Sequence, residues 1–519
     1  MPEQTLSRGE LIRLNLGFLA MVIGMFMAIL DIQIVASSIN EIQAAMSASS
    51  EEVAWVQTGY LIAEVVGIPL SGFLNRVFGM RKLFVMSAGG FVLSSVMCAM
   101  AWDLQSLIAF RAIQGFAGAA MVPTTMAAAF TLFPGGRSMT QQVMIGMVAT
   151  LAPSIGPTLG GWITQHMSWH WLFLVNVLPG IIAIGAVWWL IPRQKMNMNL
   201  LKRLDVMALI AMALFLGLLE WVVDEGPGEN WLESREIWEA GIVCLTAAAV
   251  FFWRVTKNDT PLVDLTVFKD RNFASGAFIG SIIGFGLYGA TFILPLFLAQ
   301  VRGYSSFQIG QIMSVAGIAM FLSGPVAGAL TRRLDARIVV ALGLCLAASG
   351  TWLNGHLTSQ SGFNELLWAQ ALRGAGLILT MVPVTNLALG TLPPERVANA
   401  SGLFTVCRNL GGAIGISVLT TMLQHYNRLH QQEIFAGLSP ARPEVQGFLA
   451  AAKARLEAAG VADPETAAMA QLVMRAKLEA TVMTYNNLFM TMSMSFAMVI
   501  LIVLMLDKPK IAPAAQPAH

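Results

Sequence analysis

Fourteen apolar runs, each long enough to cross the hydrocarbon core of a bilayer, constrain this 519-residue chain more than any other feature. A spanning helix needs roughly 20 predominantly apolar residues. Such runs occupy 14–36, 53–74, 82–101, 105–132, 139–164, 168–191 and 204–223. They continue at 237–255, 272–298, 306–331, 337–356, 363–391, 398–424 and 484–506. With 56% hydrophobic and 12% charged residues, the balance is that of a membrane protein and not of a soluble domain. No strand-type alternation competes. In lipid each backbone polar group must be satisfied within its own segment, so the runs are read as helices. The fold class predicted is all-α polytopic, with 14 transmembrane helices. The seventh and eighth runs are the weakest, because Glu220 and Arg254 sit near their ends.

Lys and Arg placement orients the chain. One set of loops carries Arg8, Arg13, Arg76, Arg81, Lys82, Arg137, Arg193, Lys195, Lys202, Arg203, Arg254, Lys257 and further basic residues through Lys508 and Lys510. The short loops of the other set carry only Arg235 and Arg302. Both termini are therefore expected in the cytoplasm. The first run is too long for a signal peptide and has no small-residue cleavage site, so it is expected to stay as the first helix. A net charge of +2 gives no support for nucleic-acid binding. Cys98, Cys244, Cys345 and Cys407 all fall within apolar runs and read as small core residues. The histidines show no ligand spacing, so no metal and no cofactor is expected.

The chain repeats itself internally. Gly72, Leu74, Arg76 and Arg81 recur as Gly328, Leu330, Arg332 and Arg337, and Met121, Val122, Pro123, Thr131, Leu132 and Pro134 recur as Met381, Val382, Pro383, Thr391, Leu392 and Pro394. The helices thus parse as 6+2+6. Residues 1–192 form an N-terminal six-helix bundle and 193–270 an inserted pair with linkers. Residues 271–507 form a C-terminal six-helix bundle, and 508–519 a disordered tail. Paired six-helix units around a central site are the architecture of alternating-access transporters.

The fifth run holds Ala152 to Gly161, with two prolines and three glycines. Pro157 removes a backbone donor and should kink the helix. Gly156 and Gly160 leave a smooth face for close approach of another helix. Gly284 to Gly289 fits a G-x-G-x-x-G pattern, but it lies inside a span with no preceding soluble strand and reads as a packing surface.

These motifs together resemble the major facilitator superfamily, specifically its fourteen-helix drug:proton antiporters of the EmrB and QacA kind, over essentially the whole length. The span 2–3 loop motif is approached by Gly72 to Lys82, with Gly72, Gly79, Arg81 and Lys82 in register. Arg111 to Gly115 matches R-x-x-Q-G, Gly156, Pro157, Gly160 and Gly161 match the antiporter motif, and Leu30-Asp31 with the small and β-branched residues after it matches the span-one element. Trp169 to Asn176 matches the start of span six. One departure stands out: Arg76 occupies the place of the usual acid, so the charge lock attributed to that acid in relatives cannot be copied here. The turn and its basic character remain.

Ionisable groups within the hydrocarbon are costly and are candidates for function by default. Asp31 and Arg111 lie roughly 8 Å and 9 Å from the outer ends of their spans at about 1.5 Å per residue. The resemblance puts both spans on the central cavity. A carboxyl in low dielectric beside a guanidinium suits proton binding and release; the alternative is a permanent ion pair that only fixes packing. Glu64, near mid-depth in span two, is a third candidate, for cationic substrate, a second proton or a polar cavity wall. Gln33, Gln57, Tyr60 and Gln114 are assigned to the substrate cavity. Arg373 and Arg408 also fall in apolar runs, with no motif to give them a role.

Residues 425–483 form the sizeable polar segment, an outer loop in which Asp463-Pro464-Glu465 reads as a helix start. The resemblance implies docking there of a periplasmic membrane-fusion adaptor that leads to a TolC-type outer-membrane channel. The reading as a whole is not an enzyme but a proton-driven exporter of hydrophobic or amphipathic compounds in a bacterial inner membrane. The alternatives are a dedicated exporter of one metabolite, such as a siderophore, antibiotic or fatty acid, and a membrane-embedded transferase. The last is disfavoured because no acid/base or metal constellation lies near an interface.

Overall fold

The structure is a computed structural model that describes residues 7–133, 138–258, 261–439 and 441–505. Among the described residues the regular structure is helical throughout. Fourteen helices are long and apolar enough to cross a membrane. They are α1 (Arg8–Ser37), α2 (Glu51–Phe78), α3 (Met80–Ala99), α4 (Leu104–Thr131), α5 (Ser138–His166), α6 (Trp171–Leu190) and α7 (Val206–Glu225). The remainder are α8 (Arg235–Lys257), α9 (Arg271–Arg302), α10 (Phe307–Arg333), α11 (Ala336–Asn354), α12 (Phe363–Leu389), α13 (Pro394–Gly437) and α14 (Pro464–Val503). The chain is thus a multi-pass membrane protein. The end of the bundle where α1 begins is called proximal and the opposite end distal.

Local chemistry explains where helices start and break. Ser7 and Ser49 accept from the backbone of Glu10 and Glu52, whose carboxylates reach back in reciprocal capping boxes. α4 is interrupted between Gly118 and Met121, and α6 between Leu174 and Val177. Each interruption spans the residue four before a proline, Ala119 before Pro123 and Val175 before Pro179, where the proline ring meets the carbonyl. Pro153 and Pro157, by contrast, lie within an uninterrupted α5.

The polar segment at 425–483 is not a loop. α13 continues to Gly437, a further helix covers Pro443–Ala458, and α14 begins at Pro464 with Asp463 Oδ1 accepting from the Thr466 amide at 3.1 Å. With 44 residues, α13 is about 66 Å long at 1.5 Å per residue, about twice the hydrocarbon thickness. Both α13 and α14 therefore project distally, and Lys453 pairs with Glu465 at 3.1 Å to tie the connecting helix to α14. Residues 508–519 and Arg137 lie outside the described residues.

Lateral packing joins helices distant in sequence. α5 packs along α10 and α1, α2 along α13 and α4, and α9 along α13. α7 packs on α8, α2 and α13. Glycines set several of these approaches: a Cβ on Gly317 or Gly310 would meet Ser154 or Thr158 of α5, and one on Gly324 would meet Met147. The Gly284–Gly289 run packs its glycines on Arg408 and Leu419 of α13 and Phe496 of α14.

Candidate functional site

Asp31 and Arg111, on α1 and α4, meet in a fully buried ion pair, Nη1 to Oδ2 at 2.5 Å. The pair is the centre of a closed polar cluster. The second carboxylate oxygen of Asp31 accepts from Asn176 Nδ2 at 2.7 Å and from Gln114 Nε2 at 3.2 Å. Arg111 donates further to Gln114 Oε1 at 2.7 Å and to the Val56 carbonyl at 3.2 Å. Gln114 in turn donates to Ser95 Oγ at 2.7 Å. The guanidinium lies over the Tyr60 ring, 4.2 Å from its centroid, an attractive placement for a fully buried cation. Arg111 Nη2 and the Tyr60 hydroxyl are buried without a hydrogen-bond partner.

Sequence reasoning gave Asn176 no individual role, although a polar residue closing the Trp169–Asn176 motif in an apolar run is a usable signal. The interruption of α6 is what turns its amide toward Asp31. Tyr60 and Gln114, assigned from the sequence to the substrate cavity, are placed elsewhere. Gln114 has both ends of its amide engaged by Arg111, Asp31 and Ser95, and Tyr60 packs under Arg111.

The cavity itself lies alongside, with a volume of about 470 Å³. α1, α2, α4, α7, α9 and α13 line it, with Gln33 and Gln57 on its wall. Its ionisable residues are Glu64, Glu220, Asp224 and Arg408. Glu64, Glu220 and Arg408 are 6%, 5% and 4% exposed, so three ionisable side chains from three different helices are buried around one cavity. The lining residues of α2 run from Gln57 to Val65, in the distal half of that helix, and Val122 and Thr405 carry the wall to mid-depth.

The antiporter-motif glycines back onto the same region. A Cβ on Gly156 would strike Gln33, and one on Gly160 would lie 2.5 Å from Ser37 Oγ and 2.9 Å from the Ile34 carbonyl. α5 thus presses against α1 within two turns of Asp31. Gly161 is buried in the same helix.

Below the cavity the proximal side is shut. A Cβ on Gly72 would meet the Asn399 backbone at 2.8 Å, and Asn399 exchanges two hydrogen bonds with the Asp264 backbone at 2.8 and 3.1 Å. Arg76 donates to the Pro261 carbonyl at 3.1 Å. Gly79 adopts φ 77°, a left-handed value natural to glycine, and delivers the Met80 amide to Gln194 Oε1 at 2.6 Å. Arg81 lies over Trp188 and donates to the Ile191 carbonyl at 3.3 Å, and Lys82 meets the Met196 sulfur at 3.1 Å. The hydrogen bond of Arg76 thus goes to backbone.

A helical bundle of fourteen spans that buries an ion pair beside a drug-sized, mainly apolar cavity with a few charged residues is a membrane transporter in construction. A profile described as Major Facilitator Superfamily matches residues 21–416. The chain is 45% identical over 423 residues to the "Colistin resistance protein EmrB" of Acinetobacter baumannii, covering 82% of this chain and 83% of that one. It is 29% identical to the "Fatty acid resistance protein FarB" of Neisseria gonorrhoeae, over 95% and 96% of the two chains. With the "Multidrug export protein EmrB" of Escherichia coli K12 it shares 30% identity over 83% and 84%. Among solved structures, the human organic anion transporter MFSD10 superposes with a TM-score of 0.57 at 13% identity, over 93% and 99% of the chains, a likeness of fold. The chain belongs to the major facilitator superfamily.

Proposed function

We propose that this protein is an inner-membrane drug efflux transporter that exchanges hydrophobic or amphipathic compounds for protons by alternating access. The observation that carries the reading is the adjacency of the Asp31–Arg111 cluster to a cavity of about 470 Å³, in a chain whose relatives are export and resistance proteins. The proximal face is the cytoplasmic one, since it collects nearly all the Lys and Arg of the short loops.

Asp31 is the proton site in this reading. It is a carboxylate within a span, hydrogen-bonded to Arg111, Gln114 and Asn176. The close α1–α5 contact at Gly156 and Gly160, towards the distal ends of both helices, makes the antiporter motif a pivot beside the proton site. The driving force suffices: a proton crossing about 100 mV gives about 2.3 kcal/mol, and each pH unit adds about 1.4 kcal/mol. Glu64 and Arg408 are the substrate-facing charges. The helices divide as 6+2+6, with α7 and α8 the inserted pair.

The distal projection of α13, the Pro443–Ala458 helix and α14 is the docking surface for a periplasmic adaptor that continues to a TolC-type channel. A second reading, export of one dedicated metabolite such as a fatty acid, is favoured by the likeness to FarB. A toxin panel separates the two. Overexpression raises the tolerated dose of several chemically unrelated compounds, and a protonophore removes the gain. Protection against a single compound supports the dedicated exporter, and protection insensitive to the protonophore overturns proton drive.

A further inference from the structure

We propose that α7 is a working wall of the cavity, on which Glu220 and Asp224 recognise the positive charge of an amphipathic organic cation. The inference rests on the efflux reading and names the ligand chemistry of the same cavity. A helix pair placed outside two repeated units would be expected to cover a flank. Here α7 instead reaches the space between α2 and α13 and gives Glu220, Val223, Asp224 and Pro227 to the cavity lining.

The two carboxylates are four residues apart, so they share one helix face, one turn from each other. Glu220 is 5% exposed, and its Oε2 has no hydrogen-bond partner. Asp224 sits nearer the distal end, exposed, with Oδ2 accepting from Thr58 Oγ1 at 2.6 Å. Glu64 contributes a third carboxyl from α2, against which the lining sets a single guanidinium, Arg408. Ser417 on α13 adds a buried hydroxyl oxygen that is also without a partner. An unpartnered buried carboxylate is costly, and an entering cation removes that cost. An anion entering the same space would face three carboxylates. Leu61, Tyr288, Phe292 and Ile416 supply the apolar surface for the body of the ligand. The exposed Asp224 meets the cation first and Glu220 holds it deeper.

Equilibrium dialysis of the full-length protein in detergent tests this with tetraphenylphosphonium and tetraphenylborate, two ions of nearly equal shape and opposite charge. The wild type is expected to bind the phosphonium at least about tenfold more tightly, and the Glu220→Gln/Asp224→Asn pair to lose at least about tenfold for the phosphonium alone, the size of one charge-assisted contact. Glu225→Gln, which alters a neighbouring carboxylate that does not line the cavity, leaves both affinities unchanged. Each variant is checked for an unaltered melting temperature, and if the pair fails to fold, Glu220→Gln alone is read in its place. Phosphonium binding within about twofold of wild type in the folded variant overturns the role of α7 and leaves the efflux reading standing. A wild type that binds neither ion, or prefers the borate, overturns the cation assignment. Loss of protection in the toxin panel as well brings down the underlying reading.

Discussion

Arg111 and Arg408 are both buried in the membrane-spanning bundle, at 0% and 4% exposure, yet they keep opposite company. Arg111 holds a carboxylate, an amide oxygen and a backbone carbonyl, and an aromatic ring lies beneath it. Arg408 has only a 3.5 Å contact to its neighbour Asn409, and its Nε and Nη1 have no partner. A charge with its partners built in is part of the protein's own machinery. A charge facing a cavity half-satisfied is a place for something that comes and goes. The same contrast separates Asp31, which accepts from three side chains, from Glu220, whose Oε2 accepts from none.

The largest expected effect is on the closed cluster. Arg111→Leu leaves Asp31 buried without its cation and should cost about 3–5 kcal/mol, measured as thermal unfolding in detergent, with resistance lost. Adding Asp31→Asn to that variant should recover most of the stability, because both charges are then gone, but none of the efflux. Recovery of both would reduce the cluster to a packing device. Next comes the seam behind it. Gly156→Leu or Gly160→Leu forces side-chain atoms into Gln33 or Ser37 and should cost about 1–3 kcal/mol. Such variants insert in the membrane and fail to export; normal export would refute the pivot.

The smallest effect lies at the proximal surface, where Asp205 caps α7 and is paired with Arg254 at 2.9 Å. The hydrogen bond from Arg254 holds the Asp205 carboxyl below its ordinary range. A depressed carboxyl contributes stability above its unfolded pKa and loses it as pH falls through the folded one. Asp205→Asn should therefore lower the melting temperature slightly at neutral pH and have no effect in acid. An equal drop at both pH values would show that the pair does not act through charge.

How much of this was legible in the sequence follows the same division. The spans were legible because bilayer thickness imposes a length on every one of them, and hydropathy needs no knowledge of neighbours. Asp463-Pro464-Glu465 marked the start of α14 because capping is local chemistry. The stretch from 425 to 463 misled, since polar composition there reads as loop while the chain stays helical beyond the membrane. The cavity was harder still. Glu220 looked like the mark of a span's end, and Arg408 had no motif to give it a role. Whether either lines a cavity depends on which helices lie side by side, and hydropathy does not encode that. Tyr60 and Gln114 were hard for a related reason: polarity alone does not show that Gln114 is engaged by Arg111, Asp31 and Ser95 or that the Tyr60 ring lies under Arg111.

The central claim, that Asp31 carries the coupled proton, is tested most directly by drug-dependent proton flux in proteoliposomes under an imposed pH gradient. Wild-type protein should dissipate the gradient faster when a transported drug is added. Asp31→Asn should bind the drug and show no drug-dependent flux. Wild-type flux in that variant would contradict the account.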